Sequence, residues 1–196
     1  MVDGVMALTS AGAPGTQDNR IGEAEAWAFF ARDTITWGSW SVIPGVRYES
    51  IDLTRTNYGT ADPDRNGTPA IARNSVDVVL PGMGATYELS DAWQLVAGVH
   101  RGFVNPAPGS DADAEESWNY EAGFRYGRKA ASVEAMVFLV DYENLVGTCT
   151  ASTGGDCNIG DQYDGGKARV HGLELVAAWD ASQSLSSGWS LPLSAV

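Results

Sequence analysis

Greasy and polar positions alternate with a period of two along most of the chain. From Trp118 to Gly127 the even positions are Trp118, Tyr120, Ala122, Phe124 and Tyr126. The odd positions are Asn119, Glu121, Gly123, Arg125 and Gly127. Trp40, Val42, Val46 and Tyr48 alternate in the same way with Ser41, Gly45, Arg47 and Glu49. Trp93, Leu95, Ala97 and Val99, and later Leu173, Leu175, Ala177 and Trp179, repeat the pattern. Successive side chains of a strand point to opposite faces, so this alternation predicts strands with one apolar face. Eight strands are predicted, over residues 22–34, 39–55, 75–90, 92–104, 116–128, 131–147, 167–181 and 188–196. The first 20 residues are polar and Gly-rich and read mostly as loop. Glu23–Asp33 has mixed parity, so its facing is not set by the pattern.

The connections alternate in length. Short turns fall at Thr36–Ser39, Ser90–Ala92, Gly127–Ala130 and Ser182–Gly188, and long loops at Thr56–Asn74, Asn105–Glu115 and Thr148–Gly166. Every second connection therefore lies on the same side, which predicts an up-and-down antiparallel meander with a turn side and a loop side. Bacterial outer-membrane barrels are built this way, with short turns on the periplasmic side and long loops outside. Trp37, Trp40, Tyr87, Trp93, Tyr126, Trp179 and Trp189 flank the short turns. Tyr48, Phe103, Trp118, Tyr120 and Tyr142 stand at the loop ends. Two aromatic rows with small apolar residues between them match the interfacial girdles of such barrels. The alternative is a soluble β-sandwich with Trp and Tyr in its core. A sandwich core is richer in Ile, Leu and Val, whereas the second face here carries Gly, Ser, Glu and Arg and suits a wet lumen.

Composition narrows the choice. Among 196 residues there are 12 basic and 25 acidic side chains, a net charge of -13 that argues against a nucleic-acid partner. The hydrophobic fraction of 44% excludes compositional disorder. No run approaches the ~18 apolar residues of a membrane-spanning helix. The 23 glycines with 7 tryptophans and 7 tyrosines favour strands and turns over a helical bundle. Cys149 and Cys157 lie close together in a Gly/Ser/Thr-rich stretch, where they form either a small-loop disulfide or two free thiols. The disulfide is the expectation. His100 and His171 show no metal-ligand spacing. The amino terminus lacks the basic and apolar regions of a signal peptide, and the carboxyl terminus stops inside a strand pattern. A fragment at both ends is the expectation.

Several segments then resemble one family. Val79-Leu80-Pro81-Gly82-Met83-Gly84-Ala85-Thr86-Tyr87-Glu88-Leu89 looks like the LPxxGxxY strand of TonB-dependent outer-membrane receptors. Arg101-Gly102-Phe103, a Pro/Gly loop, and Glu116-Ser117-Trp118-Asn119-Tyr120-Glu121-Ala122-Gly123-Phe124-Arg125-Tyr126 follow in the family's order. Asp141-Tyr142-Glu143-Asn144-Leu145 and Gly172-Leu173-Glu174-Leu175 continue it, and the Cys149–Cys157 loop is similar to that of receptors of the ferric-dicitrate type. The resemblance covers about Trp40 to Trp179. It implies an all-β antiparallel transmembrane barrel of about 22 strands with a plugged lumen, of which this chain supplies about eight. It implies ferric-chelate import (siderophore or ferric citrate) across the bacterial outer membrane, energised through TonB. No plug or TonB-contacting segment is recognised near the start. Residues 1–196 thus read as a partial barrel domain, with outer-membrane lipid and lipopolysaccharide around it and no resident cofactor. The rivals are a complete small eight-stranded outer-membrane barrel of adhesive or structural role, and a soluble all-β carbohydrate-binding or hydrolase domain.

Candidate site residues follow. A guanidinium grips carboxylates bidentately, so Arg47, Arg73 and Arg101, placed toward loop ends or in a long loop, are candidate ligands for an anionic chelate. Glu121, Arg125 and Glu174 fall on the polar parity and are expected to face the plug. Asp62-Pro63-Asp64-Arg65-Asn66-Gly67 matches the first half of a calcium-loop pattern, but Arg73 stands where the bidentate Glu belongs. It reads as a polar turn. Asp111, Asp113, Glu115 and Glu116 read as a solvated acidic loop, with divalent-cation or lipopolysaccharide contact as the alternative. No nucleophile elbow, phosphate loop or metal motif occurs, so transport rather than catalysis is expected.

Overall fold

The computed structural model describes Gly15 and residues 18–152, 158–180 and 192–195. The strands are β1 (Arg20–Arg32), β2 (Ile35–Trp37), β3 (Trp40–Asn57), β4 (Ala70–Ser90), β5 (Trp93–Val104), β6 (Glu115–Arg128) and β7 (Ala131–Asn144). They continue with β8 (Val146–Thr148), β9 (Gln162–Asp164), β10 (Ala168–Asp180) and β11 (Pro192–Ala195). One antiparallel sheet has the order β1-β3-β4-β5-β6-β7-β10-β11, with β2 paired to β3 beside β1. Each main strand pairs with its neighbour in sequence, as the meander requires. Among the described residues β1 and β11 do not pair, so the sheet is open. Among the described residues the main sheet is a single layer, and the one other sheet is the two-stranded β8–β9 hairpin, so the two large face-to-face sheets of a sandwich are not formed. The predicted turn at Ser182–Gly188, with Trp189, lies outside the described residues.

Two prolines shape the ladder. Pro44 sits inside β3 and has no N–H to donate. Opposite it β1 ends at Arg32, inside the first predicted strand, and pairing resumes in the unpredicted β2; Asp33 N still donates to Pro44 O at 3.1 Å, and Thr34 N turns to Asp33 Oδ1 at 2.8 Å. Pro81 does the same on β4. Pairing of β4 with β5 runs only from Ser90↔Trp93 to Gly82↔His100 and stops one residue short of Pro81. Beyond it, β4 continues to pair with β3 as far as Ala70↔Asn57. β1, β3 and β4 therefore project past the rest of the sheet on the loop side.

Residues directly opposite in an antiparallel pair share a face. The register puts Trp40 with Tyr87, Val42 with Ala85, Val46 with Pro81 and Tyr48 with Val79. Across β5–β10 it aligns Leu95, Phe124, Ala135 and Leu175, then Ala97, Ala122, Val137 and Leu173. This is the apolar face. Exposure along β4 shows its curvature: Ile71 through Met83 at odd positions are exposed, whereas the intervening even positions are half-buried or, at Val78, buried. A curled sheet crowds its concave side, so the apolar face is convex. Among the described residues nothing covers it: Trp27, Phe29 and Leu173 are each more than 60 % exposed. A water-facing wall does not tolerate so continuous an apolar surface, whereas lipid favours it.

The band has the right height. From Trp40 to Tyr48, at ~3.4 Å per residue, β3 runs about 27 Å. A tilt of ~40° foreshortens that to about 21 Å, near the ~25 Å apolar band of outer-membrane barrels. At its turn side the rings cluster: Trp37 stacks on Trp40 at 6.4 Å, Trp40 meets Tyr87 at 4.7 Å, and Trp93 meets Tyr126 at 4.8 Å. At its loop side the Tyr48 hydroxyl donates to Asp77 Oδ1 at 2.7 Å. Such a ring has an apolar body and a wet tip, as an interface demands. Above Tyr48 the same face turns polar, with Ser50 opposite Asp77 and Thr54 opposite Arg73.

Candidate functional site

The concave face is the candidate working surface, because in a closed wall it lines the lumen. Its positive and negative groups are separated. β1 and β3 place Arg20, Arg32, Arg47 and Arg55 there, against Glu49. β6, β7 and β10 place Glu115, Glu121, Glu134 and Glu174 there, against Arg125. Between them lies an open hollow of about 610 Å³, lined by Phe30, Ile43 and Leu80 with Arg32, Arg47 and His100. Gly45, Gly82, Gly84 and Gly98 form its floor. An added Cβ at Gly84 would meet nothing within 4 Å, so the wall itself does not demand glycine there. A smaller, more polar hollow of about 280 Å³ gathers Glu121, Arg125, Glu134 and Glu174.

The predicted ligands are distributed differently from expectation. Arg47 is on the concave face but stands mid-strand rather than toward a loop, and its Nε is spent on Glu49 Oε1 two residues along. Arg73 is not in a loop: β4 begins at Ala70, and Arg73 pairs with Thr54 on the convex face. Arg101 is near the loop end, but it lies opposite Trp118, also on the convex face, and its guanidinium is engaged by Glu116. Parity within one strand cannot tell which side is convex; only the register across several strands does. Tyr142, by contrast, is concave: it pairs with Ser117 one residue beyond Asp141↔Trp118, before the bulge at Glu116/Ser117.

Glu121, Arg125 and Glu174 fall on the concave face. Arg125 is already compensated: its Nε donates to Glu134 Oε2 at 2.6 Å. Glu121 and Glu174 have no ion pair among the described residues, so they keep free negative charge toward the lumen. Cys149 is buried and disulfide-bonded; Cys157, its expected partner, lies outside the described residues. Among the described residues no group of three or more His, Cys, Asp or Glu is placed to hold a metal ion.

The loop side is a hydrogen-bonded rim, which single-strand periodicity could not foresee. Asn19 is its buried hub at 2 % exposure. Its Nδ2 donates to Gly59 O at 3.1 Å and Asp62 O at 2.6 Å, and its Oδ1 accepts from Arg65 Nε at 2.8 Å. Arg65 holds a left-handed φ of 58° and lays its guanidinium over Tyr58. Asp62 accepts from Asn66 N at 3.0 Å and from Gly67 N at 2.9 Å, so the calcium-like segment is a carboxylate-capped turn with both oxygens occupied. In the acidic loop Glu115 accepts from Val146 N at 3.2 Å, Glu116 pairs with Arg101, and the Asp113 backbone N–H donates to Asp164 Oδ1 at 3.0 Å.

Two long loops meet over the concave side. Asn74 on β4 clamps one of them, donating to Ala107 O at 3.1 Å and accepting from Gly109 N at 3.2 Å. Gln162, on the β8–β9 hairpin of the other, accepts from Ala107 N. Between the two loops is a polar cavity of about 190 Å³, and Arg55 lines it from the wall. Sequence reasoning passed over Arg55 because it stands at the end of a predicted strand, outside any motif.

Comparison with known proteins places this geometry. A family model described as "TonB dependent receptor-like, beta-barrel" matches residues 4–196. The pesticin receptor of Yersinia enterocolitica is 29% identical over 188 residues, covering 86% of this chain and 25% of the receptor. The chain therefore spans about a quarter of the length of the curated relatives it matches. Among solved structures, the unliganded ferric citrate transporter FecA superposes with a TM-score of 0.66 at 24% identity, covering 86% of this chain and 24% of FecA. The ferric yersiniabactin uptake receptor FyuA of Yersinia pestis gives 0.61 at 24% identity, covering 89% and 26%.

Proposed function

The chain belongs to the TonB-dependent receptor-like β-barrel family, and from that premise we propose that it is one stretch of the wall of an outer-membrane receptor for a ferric chelate. The observation that carries the reading is the two-sided single layer: a convex apolar band about 21 Å high, edged by aromatics, behind a charged concave face. The role is transport rather than catalysis. Lipid and lipopolysaccharide cover the convex face, and strands elsewhere in the polypeptide close the open edges. A plug, also elsewhere, fills the lumen and couples to the TonB complex. Glu121 and Glu174 contact that plug, while Arg125 serves the wall through Glu134. Of the three arginines first considered as ligands, only Arg47 faces the lumen, and its pairing with Glu49 makes it a weak candidate.

The test is iron supply in the native host. Deleting the coding sequence should abolish growth on one ferric chelate as sole iron source, and cells should lose retention of that 55Fe-labelled chelate. The protein should sediment with the outer membrane. Unchanged use of every ferric chelate tried, with the protein in a soluble fraction, would refute the proposal.

A further inference from the structure

We propose that the convex face holds a seat for one anionic glycerophospholipid of the turn-side leaflet: a groove along β7, headed by Arg128. Given the membrane-wall reading on which it rests, this fixes one lipid, of one charge type, at one place on the wall. The register builds the groove. The convex positions of β7 nearest the turn are Ala131, Val133 and Ala135. Opposite them β6 places Arg128, Tyr126 and Phe124, and β10 places Trp179, Ala177 and Leu175. Short side chains on β7 thus form a floor between taller neighbours. The β6 ridge is braced from behind, because Trp93 packs on Phe124 at 5.4 Å and on Tyr126 at 4.8 Å. On the other side the floor widens at Ala177, which lies between Val133 and Ala195. Trp179 and Leu193, directly opposite one another, wall it toward the turn.

Two adjoining hollows give the occupant its two chemistries. The one deeper in the band, about 290 Å³, is apolar and is lined by Val133, Ala177 and Leu193. The one at the turn, about 210 Å³, is lined by Arg128, Lys129 and Asp180. Ala131, Trp179 and Leu193 belong to both, so the apolar hollow opens directly into the charged one. An acyl chain suits the first and a phosphodiester the second, since a guanidinium grips phosphate bidentately. Trp179 stands at their junction, where an amphipathic ring suits the boundary between chain and headgroup. Charge selects the headgroup. Arg128 is exposed and makes no ion pair among the described residues. Arg128 and Lys129 stand against Asp180 alone, and a surplus of cations favours a headgroup of net negative charge over a zwitterion. The other described short turns carry no cation: they are Gly38-Ser39 and Asp91-Ala92. Among the described residues, positive charge at the turn-side margin of the convex face is therefore confined to the head of this groove.

The test reconstitutes the whole natural polypeptide into phosphatidylcholine vesicles that contain a minor share of phosphatidylglycerol with a photoactivatable group on its acyl chain. After irradiation, peptide mapping locates the lipid adducts. They should concentrate on residues 131–135 and 175–179. Arg128→Gln should reduce them about ten-fold, the loss of one charge-assisted contact, and Arg128→Lys should keep part of them. Ala177→Phe, an apolar change on a lipid-facing position, should fill the groove and remove them with Arg128 intact. Equal, urea-resistant membrane levels of each variant exclude misfolding. Adducts spread evenly over the convex face overturn the proposal, as do groove adducts unchanged in Arg128→Gln or equally frequent with a photoactivatable phosphatidylcholine; the membrane-wall reading survives each of these. Adducts absent from the convex face altogether overturn that reading, and the lipid seat falls with it.

Discussion

Placing one arginine at Ala97 and, separately, one at Val96 distinguishes the two faces of the wall by energy. Ala97 is on the convex face, aligned with Ala85 on one side and Ala122 on the other. Those neighbours are small, so the new side chain meets no steric obstacle. Its difficulty is depth. Trp93 stands four residues toward the turn side and Arg101 four toward the loop side. At ~3.4 Å per residue and a tilt of ~40°, each polar margin is about 10 Å away in depth. A guanidinium at mid-band costs ~2–4 kcal/mol, a roughly 30- to 700-fold loss in the folded-to-unfolded ratio. Val96 is concave, aligned with Thr86 and Gly123, and a charge there meets a water-lined surface. Its cost should be about 0.5 kcal/mol, as for other water-facing changes. Urea titration of outer membranes containing each variant, read by the fraction of heat-modifiable protein, measures the difference. Equal midpoints for the two variants, or a larger loss for Val96→Arg, would refute the assignment of faces.

Asn19→Ala should loosen the segment 58–67 by about 2–4 kcal/mol, because two carbonyls and the Arg65 guanidinium lose a buried partner; amide exchange of that segment should accelerate while that of β6 and β7 does not. Gly123→Val should abolish insertion, since its Cβ would lie 2.0 Å from Ala135 O, whereas Gly84→Ala, with nothing in reach, should insert normally; immunoblots of urea-washed membranes decide both. Cys149→Ser should expose the loop after β8 to protease, with a loss at or below the ~3 kcal/mol of a 15-residue crosslink; unchanged digestion would remove the disulfide from the account.

The period-two alternation and the alternating connection lengths sufficed to read the strands of the main sheet and their meander, because each feature acts within one strand or between neighbours. What escaped depends on longer range. The break between β1 and β2 is caused by Pro44 of the adjacent strand, and the short β4–β5 seam by Pro81, whose missing N–H matters only once a partner is assigned. β8 and β9 are three residues each, too short for periodicity to register. Arg73 and Arg101 are ligand candidates by their nearness to loops, but β4 extends back to Ala70, and the cross-strand register puts both on the convex face. Arg55 and Asn19 gain their meaning from loops folded back over the wall. Asn19 is one asparagine in a polar run until Gly59, Asp62 and Arg65 close around it.

The most direct measurement of the central claim is a spin-label scan of β5 in the outer membrane. Single cysteines replace Gln94, Leu95, Val96, Ala97, Gly98 and Val99 in turn, and each label is tested for collision with oxygen, which concentrates in lipid, and with a water-soluble nickel chelate. Labels at 95, 97 and 99 should favour oxygen, and labels at 94, 96 and 98 should favour nickel, in strict alternation. Accessibility without a period of two, or with nickel favoured at 95, 97 and 99, would contradict a lipid-facing wall.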